Sequence, residues 1–554
     1  MRYQPSLISK GLYFAIDKTP RHLAMASVIL LAGVSTASTV YADGYVSGAK
    51  AAVVDTKAGE IVGAERNGVY SYLGVQYATA ERFVPPKPVA PWEGVRPALA
   101  FGETCPIPTM KSVAGDELFN PHRYLPTSEN CLFLNVWTPG LKDGKKRPVM
   151  VWLHGGGYTN GSSIEQVSYD GENLSRKGDV VVITLNHRLN ALGFLDLSAY
   201  GPEYKESGNA SIADLVTALQ WVKDNAEAFG GDPGNVTIFG QSGGGSKVRT
   251  LMGLPAAKGL FGKAIVQSGA TTSPVTSQRS ARRVAELTLK NLGIETSQVD
   301  HLKTVPVEQL VEAGTKALED AKKEGIENPR WAPVVDGAYL PRDPVGDGWV
   351  DQAKHIPLLI GTVLNEQETV TRVNPAILYA DNKNEWNAEK TDAKLKQRFG
   401  DKANAIGKAF LEAYPEKKLA DAAFVDLTGR TGTLKNIQMK AKQGGAPVYS
   451  YVFTRESPAM GGIGGAWHCS EIPYVFANAE LVSQATGGGP EAAALQDKMS
   501  EAWINFAKSG NPNHPGLPKW PAYAADKGAT MIFDNKSEVR FNHDLPLLKA
   551  AGVL

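Results

Sequence analysis

The sequence predicts an α/β protein built on a mainly parallel, doubly wound sheet, and three observations predict it. Short apolar runs recur at residues 148–153 (PVMVWL), 179–186 (DVVVITLN), 236–239 (VTIF), 264–267 (AIVQ), 358–363 (LLIGTV) and 448–453 (VYSYVF). They are continuous rather than alternating, the pattern of strands covered on both faces. Helix-prone stretches lie between them, so strand and helix alternate along the chain. After residue 43 no linker, repeat or long low-complexity tract interrupts that alternation.

The first element lies outside this pattern. Arg2, Lys10, Lys18 and Arg21 stand against Asp17 alone, an apolar run follows at residues 23–34, and Val40-Tyr41-Ala42 ends it. A basic leader, a short apolar core and small residues before a cleavage point predict a signal peptide over residues 1–42. The core is shorter than the roughly 20 apolar residues that span a bilayer, so no stable membrane anchor is expected. The expected location is periplasmic or secreted.

Export places the chain where disulfides persist. Cys105 and Cys131 flank a Pro-rich polar loop and predict a disulfide, which leaves Cys469 as a buried free thiol. No Cys or His pair has zinc-ligand spacing, so no metal site is expected. The 554 residues carry 58 Lys plus Arg against 57 Asp plus Glu, a balance that excludes a dedicated nucleic-acid binder. Nothing in the sequence predicts an oligomeric state.

Residues 212–229 carry apolar side chains at helical spacing, with Asn209 or Ser211 as candidate cap and Gly230-Gly231 as terminator. Residues 275–325 and 380–445 are charged and helix-prone, and are expected as insertions roofing a cleft above the sheet. Residues 485–493 (ATGGGPEAA) are expected to be a surface loop.

The chemistry centres on Gly240-Gln241-Ser242-Gly243-Gly244, directly after VTIF. A serine on a sharp strand-to-helix turn needs glycines on both sides, and the helix behind it favours developing negative charge. A phosphate loop is excluded, because Ser246-Lys247 reverses the order that motif requires. His154-Gly155-Gly156-Gly157 follows PVMVWL, and side-chain-free amides there can crowd an oxyanion. Gly156, Gly157 and Gly243 are the expected donors, with His154 a structural ring. The two motifs together predict acyl transfer, which requires no cofactor.

Serine needs a base, and the base needs an orienting acid. Glu366 is the expected acid, just past LLIGTV, with Glu368 in reserve. His468, in a Gly-flanked loop after VYSYVF, is the expected base. Its competitors are His514, in a Pro-rich turn, and His543, near the C-terminus. Ser242 and His468 are so far apart in sequence that residues 43–554 are read as one catalytic domain.

With these motifs the chain resembles the type-B carboxylesterases, the cholinesterase-like branch of the α/β-hydrolase fold, over its whole length after the leader. The resemblance rests on Leu73–Tyr77 with Arg82-Phe83 and Pro91-Trp92, and on Glu129-Asn130-Cys131-Leu132. It extends to Asn186-His187-Arg188, Gly230-Gly231-Asp232-Pro233, Gln267-Ser268-Gly269 and the block from His468 to Phe476. It implies an α/β-hydrolase fold, a Ser242–His468–Glu366 triad, the Cys105–Cys131 bridge and ion pairs Arg82–Glu129 and Arg188–Asp214. Two departures bear on substrate. Neutral Gln241 replaces the family's frequent Glu before the nucleophile, and Phe119 is the counterpart of a Trp used by relatives that bind quaternary ammonium. With both as substrate-binding residues, the expected substrate is a small to medium uncharged ester. Amide, carbamate or lactone cleavage by the same machinery stays open, as does a non-catalytic binding protein on this fold.

Overall fold

The computed structural model describes residues 46–47, 52–110, 113–271 and 273–554. The expected leader lies outside them. Asp43–Leu554 cluster as one compact unit.

The apolar runs become strands of a 12-stranded sheet. In chain order these are β1 (Val46–Ser47), β2 (Ala64–Arg66), β3 (Val69–Gln76), β4 (Phe133–Thr138), β5 (Arg147–Leu153) and β6 (Val181–Leu185). They continue as β7 (Gly231–Gln241), β8 (Lys263–Gln267), β9 (Leu358–Val363), β10 (Val448–Phe453), β11 (Ala529–Phe533) and β12 (Glu538–Phe541). The spatial order follows the chain except that β6 lies between β4 and β5. From β6 to β11 neighbours are parallel; the flanks β1–β4 and β12 pair antiparallel.

Every residue of β6, β9, β10 and β11 is buried, which explains why these runs are apolar throughout. Trp152 on β5 anchors the core. Its ring meets Phe239 and Phe476 edge-on at 5.0 Å and Tyr169 at 5.1 Å. Burying such an aromatic set, with its edge-on contacts, contributes beyond area alone.

The helices that matter to the site are α1 (Ala210–Asn225), α2 (Gly243–Gly253), α3 (Gln278–Leu292), α4 (Val307–Lys323), α5 (Ala388–Phe399), α6 (Ala403–Ala413), α7 (Thr428–Gln443), α8 (Gly489–Ser509) and α9 (Leu545–Ala551). Three expectations need correction. Asn209 stands at the N-cap position of α1, but its side chain makes no capping hydrogen bond there, and Ser211 lies inside the helix. Asn209 exchanges hydrogen bonds with the Val334 backbone, and the Ser211 hydroxyl meets His187 Nδ1 at 2.8 Å. The end of the second insertion is a core helix rather than only a roof: α7 packs on β9 and β10, and its first turn, Thr428 and Gly429, borders the cleft. Parallel neighbours require a crossover, and α7 supplies it. Residues 485–493 are not one loop, because Pro490 sits in the first turn of α8, where its missing N–H costs nothing.

Cys105 and Cys131 are bonded, and Cys469 is free and buried. Arg82–Glu129 and Arg188–Asp214 pair at 2.6 Å each, the latter fully inside the protein. Among the described residues no helix is long and apolar enough to cross a membrane, and no His/Cys/Asp/Glu group has metal-binding geometry.

Candidate active site

Strand register gathers the site. Leu153 lies beside Gly240, Gln241 beside Gln267, and Gln267 beside Gly361. The loops leaving β5, β7, β8, β9 and β10 therefore open along one carboxyl edge of the sheet, where ligands of α/β proteins bind.

Ser242 joins β7 to α2 with φ 56° and ψ −121°, a left-handed conformation unusual for a side chain. Such strain costs on the order of 1–3 kcal/mol and persists only where the surroundings fix it. Here the Ser242 N–H donates to the Gln267 carbonyl at 2.8 Å, and its own carbonyl accepts from Ser246 N–H at 3.1 Å. The glycines are needed for close approach. A Cβ on Gly243 would stand 2.2 Å from the Gly157 carbonyl oxygen, and one on Gly244 1.9 Å from that of Leu153.

The base and acid come from loops after β10 and β9. His468 N–H donates to the Glu366 carbonyl at 3.0 Å, and Asn365 N–H to that of Ala466 at 3.0 Å. These bonds splice the two loops together as a short parallel bridge. The Glu366 carboxylate accepts from Val363 N–H at 3.0 Å and from His468 Nδ1 at 2.5 Å. Both residues are buried, 2% and 8% exposed. Burial alone would lower the His468 pKa, but the Glu366 charge and hydrogen bond outweigh it, so the net shift is upward. With Nδ1–H committed to Glu366, Nε2 is the basic nitrogen.

That nitrogen has a partner the sequence did not foretell. The side-chain amide of Gln241 donates to His468 Nε2 at 3.2 Å, while the Cys469 thiol donates to Gln241 Oε1 at 3.3 Å. The two bonds fix the amide's orientation, since only its nitrogen can donate to an unprotonated Nε2. Among the described residues no hydrogen bond joins Ser242 Oγ to the ring. Catalytic contacts of this kind tighten when substrate binds.

Gly156 and Gly157 have φ of 77° and 64°, and their N–H groups donate to no acceptor among the described residues. Gly243 heads α2, where helix amides are unsatisfied. Gly157 and Gly243 line the same cavity as Ser242, and Gly156 adjoins Gly157 in the loop. His154 is wholly buried and stacks on His187 at 4.8 Å. Burial, then the Lys247 charge, drives its pKa well down, so it is a neutral structural ring.

A cavity of about 560 Å³ opens on Ser242, Gly157, Gly243 and His468, walled by Tyr158, Leu318, Trp331, Arg372 and Asp426 among others. Burial, then the charge of Glu366, raises the Asp426 carboxyl to about 6. Glu368, the reserve acid, pairs with Arg398 at 3.2 Å. His514 is bound to the Lys498 carbonyl and His543 packs on Tyr414, so neither competes as base. The two expected substrate-binding residues need correction. Neither Gln241 nor Phe119 is in the cavity wall. Gln241 lies behind the nucleophile. Phe119 is fully buried and packs on Trp467 at 6.0 Å, supporting the histidine loop. The wall residues Tyr158, Leu318 and Trp331 carry no sequence motif and were not foreseen.

Comparison with known proteins agrees with this geometry. Residues 50–546 match the model of the carboxylesterase family. The chain is 35% identical over 500 residues to the para-nitrobenzyl esterase of Bacillus subtilis, covering 89% of this chain and 96% of that one. It is 34% identical over 499 residues to a phenmedipham hydrolase of Pseudarthrobacter oxydans, covering 88% and 96%. Among solved structures, an esterase from Clostridium hathewayi described as hydrolysing aliphatic aromatic polyesters superposes with TM-score 0.84 at 42% identity, covering 92% and 99%. Carboxylesterase EST55 of Geobacillus stearothermophilus superposes with TM-score 0.71 at 35% identity, covering 90% and 99%. Matched along nearly all its length in both sequence and fold, the chain belongs to the carboxylesterase family and is a carboxylic-ester hydrolase.

Proposed function

We propose that the chain hydrolyses small to medium uncharged esters through an acyl-enzyme on Ser242. The observation that carries this reading is the buried Glu366–His468 pair opening on the same cavity as a strained serine, with Gly157 and Gly243 beside it. His468 Nε2 takes the Ser242 proton as Oγ attacks the ester carbonyl. The oxyanion forms against the amides of Gly156, Gly157 and Gly243, and the tetrahedral intermediate expels the alcohol, which takes its proton from His468. Water then attacks the acyl-enzyme by the same route, regenerating Ser242 and releasing the acid. Glu366 holds the imidazole tautomer and stabilises its cation. The cavity volume and its Tyr158, Leu318 and Trp331 wall support substrates of modest size.

Ser242→Ala is expected to lower kcat for p-nitrophenyl butyrate by about 10⁴-fold or more. An organophosphonate should label the native protein and not the variant. Retention of more than a trace of turnover would remove Ser242 from the mechanism. A second reading, carbamate cleavage by the same residues, is favoured by the likeness to a phenmedipham hydrolase. Aryl carbamates belong beside esters varied separately on their acyl and alcohol sides. An exported location is part of this proposal, supported by the basic leader and by a disulfide; sequencing the N-terminus of the protein recovered from outside the cytoplasm tests it.

A further inference from the structure

Lys247 lies one turn beyond the nucleophile on α2 and is entirely buried. Among the described residues its ammonium makes a single hydrogen bond, donating to the His154 carbonyl at 2.9 Å. It has no carboxylate within ion-pair distance among the described residues. Its surroundings come from the loops after β5 and β6. The rings of His154, after β5, and His187, after β6, are stacked beside it, and both are kept neutral by burial. The Tyr158 ring lies 5.7 Å away. Glu165 is the acidic group that acts on it electrostatically, and that carboxylate also faces His122 at 3.7 Å.

A buried lysine with one acceptor is expensive where an apolar side chain would fill the same space. What it touches gives it a use. The His154 carbonyl begins the Gly155–Gly157 loop, the proposed source of the oxyanion amides, and Lys247 ties that loop to the helix that presents Ser242. A cation held in a water-poor interior against the first carbonyl of that loop is placed to favour the charge that develops on the oxyanion, where electrostatic stabilisation is worth most.

We propose that Lys247 is a positioning residue for acyl transfer: its ammonium anchors the oxyanion loop through the His154 carbonyl and supplies positive charge behind the developing oxyanion. The role rests on the assignment of Gly156 and Gly157 as oxyanion donors. Burial lowers the Lys247 pKa to about 7, with Glu165 opposing, so the cation is lost on the alkaline side of neutrality.

The test is kcat for p-nitrophenyl butyrate from about pH 6 to pH 9.5, with circular dichroism at each pH, for the native protein, Lys247→Met and Lys247→Arg. The native kcat is expected to fall along an alkaline limb while the fold is unchanged. Lys247→Met is expected to lose about tenfold or more in kcat at neutral pH with KM altered by less than about threefold, and to lose the alkaline limb. Lys247→Arg, charged at every pH used, should recover part of the rate without the limb. A native kcat level to pH 9.5 overturns the proposal, even if both variants misfold. So does a folded Lys247→Met that keeps the limb or the native kcat. Failure here leaves the Ser242→Ala result untouched, so the two readings fall separately.

Discussion

At the scale of single residues the resting site is set by competition for one nitrogen. His468 Nε2 accepts from the Gln241 amide, a neutral donor held in place by the Cys469 thiol. A neutral donor satisfies the free base without favouring its protonation, so the ring stays available to Ser242. A carboxylate in the same place would stabilise the imidazolium instead. Gln241→Glu is therefore expected to move the acid limb of kcat/KM upward by about one pH unit, because a raised His468 pKa keeps the base protonated to higher pH. A pH–rate profile with an unmoved midpoint would show that residue 241 does not act on the base. Ser242 and Glu366 were legible in the sequence because each follows a buried strand within three residues, and His468 because its Gly-flanked loop follows β10. Gln241, Cys469 and Lys247 were visible as letters, but their partners arrive from distant segments, so their roles were not.

At the scale of elements, local pattern located the strands well and failed where a tertiary contact decides. Residues 358–363 and 448–453 coincide with β9 and β10, since a strand buried on both faces writes its burial directly into sequence. The flanking antiparallel strand β3 mixes buried positions with partly exposed ones, so no apolar run announced it. α7 read as an insertion because nothing local marks a crossover helix. The turn between β7 and α2 is the element most dependent on small residues. Gly244→Ala drives a methyl group into backbone, not into a side chain that can rotate away. It is expected to cost at least about 2 kcal/mol and to cut kcat as the elbow shifts. An unchanged melting temperature with native activity would show that the elbow has slack. Removing the Cys105–Cys131 bridge, which spans a sequence separation of 26, should cost roughly 3 kcal/mol in the chain-entropy view. Comparing melts with and without reductant reads this.

At the scale of the whole molecule, the catalytic residues hang from one sheet, so whatever closes the far end of the chain also protects the site. That closure is a buried cluster. Asp544, at the N-cap position of α9, accepts from Arg430 of α7 at 2.5 Å, and His543 packs edge-on against Tyr414 at 5.3 Å. Burial lowers the His543 pKa to about 4, with Asp544 only partly opposing. The folded protein therefore holds this histidine neutral, while the unfolded chain protonates it near its ordinary value of about 6.5. The unfolded state binds the extra proton as pH falls, so this contribution is intact above about 6.5 and lost between there and about 4. Asp544 adds to the same direction at lower pH: burial would raise its pKa, but Arg430 and His543 bring it to about 2, and that stabilisation fades as acid approaches it. For His543 alone the loss down to pH 4.5 is on the order of 2 kcal/mol. Spread over the unfolding entropy of a chain this long, that is about 2 °C in melting temperature. His543→Phe keeps the ring volume and removes the proton site. The native protein should lose about 2 °C more than this variant between pH 7 and pH 4.5, and equal losses would place the acid sensitivity elsewhere in the fold.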